Sequence, residues 1–166
     1  MNAEGGRHPP LAPDHVDAPH REYRAGDLVL ESGDAIVDYR QSFVTHGTLN
    51  AERSNVVLVC AALTATHHRL DCLIGPGEAL DPARWFVVAP DPIGNGLSTS
   101  PSNSARQPRM RFPRFTLRDM VAAQHRLLTE HLGIDRVHAI VGTSMGGMQA
   151  LQWACAIRRS CGSWSR

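Results

Sequence analysis

The chain has 166 residues, 42% of them hydrophobic and 20% charged, with a formal net charge of +1 at pH 7. That length suits one domain with a substantial core, and so balanced a charge gives no bulk electrostatic basis for binding nucleic acid or an anionic membrane. No run approaches the ~18 apolar residues of a membrane span, and the four cysteines form no CxxC pair, so a soluble cytoplasmic protein is expected.

Residues 1–26 are rich in Pro, His, Gly and Asp and carry neither an apolar period nor the apolar core of a signal peptide. They read as a disordered arm. "DLVLESGDAIVDYRQSF" then supplies two extended runs, Asp27–Glu31 and Ala35–Val44, joined by Ser32-Gly33-Asp34, which is a β-hairpin signal. Two unbroken apolar runs follow, Val56–Ala62 and Trp85–Ala89. Runs of this length suit strands buried on both faces of a parallel sheet. Between them the Gly-Pro-Gly break leaves room only for short helical pieces. After Ala89 comes a long loop dense in turn residues, of the kind that is usually functional or mobile.

"TLRDMVAAQHRLLTEHLG" predicts a helix. Thr116 is its N-cap and Asp119 completes an acidic capping box; Leu117, Met120, Val121, Leu127, Leu128 and Leu132 form one apolar face, and Gly133 is the stop. A short strand, Val137–Val141, leads to a turn and to a second helix that starts near Met145. A hairpin followed by βαβαβα with buried strands predicts an α/β layered sheet, with residues 27–154 as its domain.

Gly142-Thr143-Ser144-Met145-Gly146 fits G-x-S-x-G, directly after an apolar strand and directly before a helical pattern. That context defines a nucleophile elbow. A strand that turns at once into a helix holds Ser144 in a strained conformation with its hydroxyl above the sheet edge. Gly142 and Gly146 keep a Cβ out of the crowded turn. The Met145 N–H, at the helix N-terminus, points to where an oxyanion develops, and a second donor is expected from the loop after the third strand, at Leu63 or Thr64. The plainer alternative is a small-residue turn that packs helix on strand.

Beyond the elbow, the blocks "HGTLNAERSNVVLVCAALT", "LIGPGEALDPARWFVVAP", "FTLRDMVAAQHRLLTEHLGIDRVHAIVG" and "SMGGMQALQWA" together resemble homoserine O-acetyltransferase-like proteins of the α/β-hydrolase superfamily. The likeness runs from about Asp27 to Ala154. It implies an α/β-hydrolase fold in which Ser144 takes an acyl group from an acyl-CoA co-substrate and passes it to the hydroxyl of an amino acid such as homoserine. The backbone of Leu63 and Met145 would form the oxyanion hole, with no bound cofactor. Small-molecule acyl donor and acceptor are thus the implied partners, in methionine biosynthesis. Ala61 stands where these acetyltransferases commonly have histidine, and Thr143 where a second glycine is usual. Esterase-type hydrolysis therefore stays open beside transfer.

The superfamily's triad runs Ser, then Asp or Glu, then His, yet residues 145–166 contain none of the three ionisable types. A serine without a base is hardly nucleophilic near neutral pH. The chain as it stands is therefore expected to be inactive, and a non-catalytic truncated product is the reading from outside the enzyme class. Cys155–Arg166 are read as an out-of-frame tail. All 17 basic residues are arginine, which suggests GC-rich coding, and back-translation in such codons with a shifted frame yields a Pro-terminated helix followed by an apolar strand. Adjacent side chains at His67-His68 are expected to diverge, with no metal between them, and His125 and His131 are expected on the surface of the long helix.

Overall fold

A computed structural model describes residues 10–157. Five strands form one mixed sheet in the order β1-β2-β4-β3-β5. β1 (Arg21–Val29) and β2 (Ala35–His46) are the expected hairpin, antiparallel from Val29↔Ala35 out to Arg21↔Phe43. Gly26, at φ +68°, sits where the register shifts, at a bulge that only a glycine accommodates without strain.

The hairpin corrects the sequence reading of the arm. β1 begins at Arg21, six residues before the expected start, because β2 continues to His46 and offers backbone to pair with. In this stretch Tyr23 is buried, while its polar neighbours face outward, so no apolar period marks the strand. Upstream, Ala18 and Val16 pack on the core, and the Val16 N–H donates to Asp71 Oδ2 at 2.8 Å. Residues 1–9 of the arm, and 158–166 of the tail expected to be out of frame, lie outside the described residues; Cys155 and Ala156 belong to a helix described below.

β3 (Val56–Cys60) is buried along its whole length and runs parallel to β4 (Phe86–Pro90) and β5 (Ala139–Gly142). Its alternation divides the core. Val56, Leu58 and Cys60 face one layer together with Val88, Val121, Leu127 and Trp153. Val57 and Val59 face the other, with Leu70, Ile74 and Leu80. The second layer is built from a 3-10 segment, His67–Leu73, which is the short helical piece expected ahead of the Gly-Pro-Gly break.

α1 (Leu117–Arg126) has the predicted capping box: Asp119 N–H donates to Thr116 Oγ1, and Thr116 N–H to Asp119 Oδ2. The helix does not stay regular to its end. Leu127–His131 widen into one π-type turn before Gly133, at φ +64°, stops it. His131 is exposed, as expected, whereas His125 is half-buried with its ring 5.8 Å from that of Trp153.

α2 (Met145–Ala156) packs against α1 through a buried polar chain. Trp153 Nε1 donates to Gln124 Oε1 at 2.7 Å, Gln124 Nε2 to Gln149 Oε1 at 2.6 Å, and Gln149 Nε2 to the Ala61 carbonyl at 3.1 Å. Trp153, Gln124 and Gln149 are each at most 1% exposed. A fully satisfied buried network specifies one packing of α2, because shifting the helix would strand polar groups away from water. Trp153→Ala removes both the largest core side chain and the first donor; a loss of about 3–5 kcal/mol is expected in equilibrium urea unfolding.

Candidate active site

β3 and β5 are neighbours in parallel register, with Cys60 opposite Gly142. The loop after β3 and the turn after β5 therefore leave the same edge of the sheet side by side. Ser144 occupies that turn at φ +52°, ψ −124°, a conformation that costs a non-glycine residue on the order of 1–3 kcal/mol. It is exposed, and its side chain makes no capping bond to α2. The strand–turn–helix geometry expected for an elbow is thus present, with the hydroxyl facing solvent rather than its own helix.

Gly142 and Gly146, on either side of this turn, are required by close backbone approach. A Cβ on Gly146 would lie 2.2 Å from the Cys60 carbonyl oxygen, and one on Gly142 would lie 2.3 Å from the Gly146 carbonyl. α2 thus starts directly on the end of β3, and Gln149 ties it to Ala61. Leu63 and Thr64 follow, both exposed, with Thr64 at φ +61°. Neither the Leu63 nor the Met145 amide takes part in the loop and cap hydrogen bonds of the described residues.

A buried carboxylate that the sequence reading passed over fixes this loop. Asp91, fully buried at the end of β4, accepts the His67 N–H at 3.0 Å, His67 Nδ1 at 3.0 Å and Asn95 Nδ2 at 2.9 Å. The loop between Ala61 and His67 is thereby clamped at its far end, while Gln149 holds its near end. The stretch after β4 is also more ordered by hydrogen bonds than its turn-rich composition suggested. Ser98 Oγ donates to the Asp91 carbonyl, and Asn103 Nδ2 donates to the carbonyls of Gly96 and Ser98. Asp91 was recognisable only as one aspartate in "PDPIGNG"; its partner His67 lies 24 positions away in sequence.

His67 and His68 do not diverge as expected. The 3-10 turn brings their ring centroids to 4.2 Å, and each Nδ1 meets its own carboxylate, Asp91 at 3.0 Å and Asp71 at 2.5 Å. Among the described residues no histidine or carboxylate hydrogen-bonds Ser144. A groove of about 540 Å³ lined by Arg24, Arg40, Thr99, Asn103 and Arg106 includes neither Ser144 nor Leu63.

Cys60, on the strand beneath the elbow, is inert by burial. Desolvation of the thiolate pushes its thiol up to about 12. Cys72 and Cys155 are exposed. Iodoacetamide at pH 8 is expected to alkylate Cys72 and Cys155 and to leave Cys60 unmodified until the protein is unfolded, as read by peptide mass mapping.

The sheet order, the parallel β3–β5 pair and the strand–turn–helix at Ser144 fit an α/β-hydrolase fold, and a family profile described as alpha/beta hydrolase fold matches residues 55–162. The chain belongs to that family. Within it, the chain is 41% identical over 152 residues to a homoserine O-acetyltransferase of Sulfurimonas autotrophica, covering 81% of this chain and 41% of that protein. It is 40% identical over 163 residues to a homoserine O-succinyltransferase of Aromatoleum aromaticum, covering 86% of this chain and 43% of that protein. The structure superposes on an acetylester hydrolase from Corynebacterium glutamicum with a TM-score of 0.83 and 37% identity, over 86% of this chain and 42% of that one. The chain thus spans about two-fifths of the length of these relatives. Among the described residues no helix is long and apolar enough to cross a membrane.

Proposed function

We propose that Ser144 is the nucleophile of an acyl transfer, and that the acyl group moves from an acyl-CoA thioester to the hydroxyl of a homoserine-like amino acid. In the first step the Ser144 hydroxyl oxygen attacks the thioester carbonyl, its proton leaves to a base, and the thiol departs to leave an ester on Ser144. In the second step the acceptor hydroxyl attacks that ester and Ser144 regains a proton. The amides of Leu63 and Met145 stabilise the oxyanion in both steps. The observation that carries this reading is the strained, exposed Ser144 at the first turn of α2, beside the clamped loop after β3. The identity to homoserine O-acyltransferases supports the donor and acceptor classes.

Hydrolysis, with water as the acceptor, is the second reading, and the close superposition on an acetylester hydrolase favours it. The acyl acceptor separates the two. With acetyl-CoA as donor, transfer yields O-acetylhomoserine when homoserine is supplied, whereas hydrolysis releases acetate at the same rate with or without it.

The base has to come from outside residues 145–166, which hold no Asp, Glu or His. The 166-residue chain by itself is accordingly expected to give no burst and no turnover with p-nitrophenyl acetate. Turnover by this chain that disappears on Ser144→Ala would show that a base is supplied from elsewhere in it.

A further inference from the structure

The face of the sheet opposite α1 and α2 carries a group of histidines that acyl transfer does not use. His20, exposed at the entrance to β1, and the buried His67 and His68 bring three imidazole nitrogens within 4.8 Å of one another. The His20 and His67 rings meet edge to face at 4.5 Å, and His15 stacks on His68 at 4.0 Å. His46 stands on the same face of β2 as Val44 and lies within electrostatic reach of Asp71, His67 and His68; it is 8% exposed, and its buried Nε2 has no hydrogen-bond partner among the described residues.

The carboxylates decide which ring nitrogen faces the group. Asp91 accepts N–H bonds from His67 and Asn95, and Asp71 accepts the Val16 N–H, so each acts as an acceptor-only carboxylate. Nδ1 of His67 and of His68 is thereby the donor to its carboxylate, and Nε2 is the ring nitrogen through which each would ligate a metal. A carboxylate on Nδ1 and a lone pair on Nε2 is how proteins orient a metal-binding histidine.

We propose that His20, His67 and His68 bind a zinc ion, with Asp91 and Asp71 as the carboxylates that orient two of the ligands. Imidazole ligands suit zinc, and three of them leave a fourth, open position. Zinc–nitrogen bonds of about 2.0–2.1 Å place tetrahedral donors about 3.4 Å apart, so the group closes by roughly an ångström on binding. His20 is exposed and able to supply that movement. The ion would tie the segment before β1 to the 3-10 turn that follows the Leu63 loop, and so brace that loop from the face opposite α2.

The test uses the tag-free 166-residue chain stripped with EDTA, titrated with Zn²⁺ alone and, in parallel, with Co²⁺. One zinc per chain by elemental analysis is expected, together with the intense visible bands of four-coordinate cobalt and a rise in Tm with zinc but not with magnesium. His20→Ala, at an exposed position, is expected to weaken zinc binding by at least about tenfold while the metal-free urea midpoint stays unchanged. His138→Ala, an exposed histidine outside the group, is expected to bind as the parent does. Substoichiometric zinc, the weak bands of six-coordinate cobalt, or affinity indifferent to His20→Ala would overturn the site.

Discussion

Gly146→Ala is expected to destabilise the protein by about 3 kcal/mol or more, beyond the usual range for a single added methyl group. The new Cβ would meet the Cys60 carbonyl oxygen at 2.2 Å and the Ala61 carbonyl carbon at 3.3 Å. Both are backbone atoms where the β3 strand ends, so no side-chain rotation relieves the clash. Either α2 lifts away from the sheet or the end of β3 bends. Lifting α2 breaks the Gln149–Ala61 bond and exposes Trp153, which is fully buried in the parent. Urea unfolding followed by tryptophan fluorescence reads both consequences, as a lower midpoint and a red-shifted native spectrum. Gly147→Ala is the internal comparison, since its Cβ would come no closer than 3.4 Å to any neighbour, and it is expected to cost under about 1 kcal/mol.

Asp91→Ala is expected to cost about 3–5 kcal/mol, the range for removing one partner from a buried ionic and hydrogen-bonded group. Three donors lose their acceptor at once: the His67 amide, His67 Nδ1 and Asn95 Nδ2. The two His67 donors sit where water cannot replace the lost bonds, because Asp91 is 0% exposed and His67 2%. Asp91→Asn keeps one acceptor oxygen but points an amide N–H at a histidine that is itself a donor, so it is expected to fall between the parent and the alanine variant. Hydrogen exchange gives the local reading. The hydrogen-bonded amides of Ala65, His67 and His68 are expected to lose protection well before those of β3. Uniform loss of protection along the sheet would contradict the assignment of Asp91 as the clamp of this loop.

Much of the fold was legible because its signals are local. The hairpin announced itself by Ser32-Gly33-Asp34, and α1 by Thr116 and Asp119. β3 and β4 showed as unbroken apolar runs because both faces of these strands are covered. The strand–turn–helix at Ser144 was legible for the same reason, since its three parts are contiguous in sequence. What escaped was non-local. The first half of β1 has no apolar period, and only its pairing with β2 makes it a strand. The π-type turn at Leu127–His131 widens a sequence whose apolar face reads as regular helix. Asp91 and His67 are unremarkable apart and meaningful only together, and the same holds for His20, which joins His67 across 47 positions of sequence. Adjacent histidines do diverge in an extended strand; a 3-10 turn, which sequence does not announce here, is what turns their rings toward each other.

The central claim is that Ser144 is the acylated residue, and peptide mass mapping of a quenched reaction tests it most directly. Residues 1–154 joined to the C-terminal part of the Sulfurimonas autotrophica relative, with its fold verified by circular dichroism, would be mixed with p-nitrophenyl acetate and quenched in acid. An acetyl group on the peptide that contains Ser144 is expected, and Ser144→Ala is expected to abolish it and to lower turnover on the order of 10⁶-fold. An acetyl group carried by any other residue, or turnover that survives Ser144→Ala in the folded protein, would contradict it.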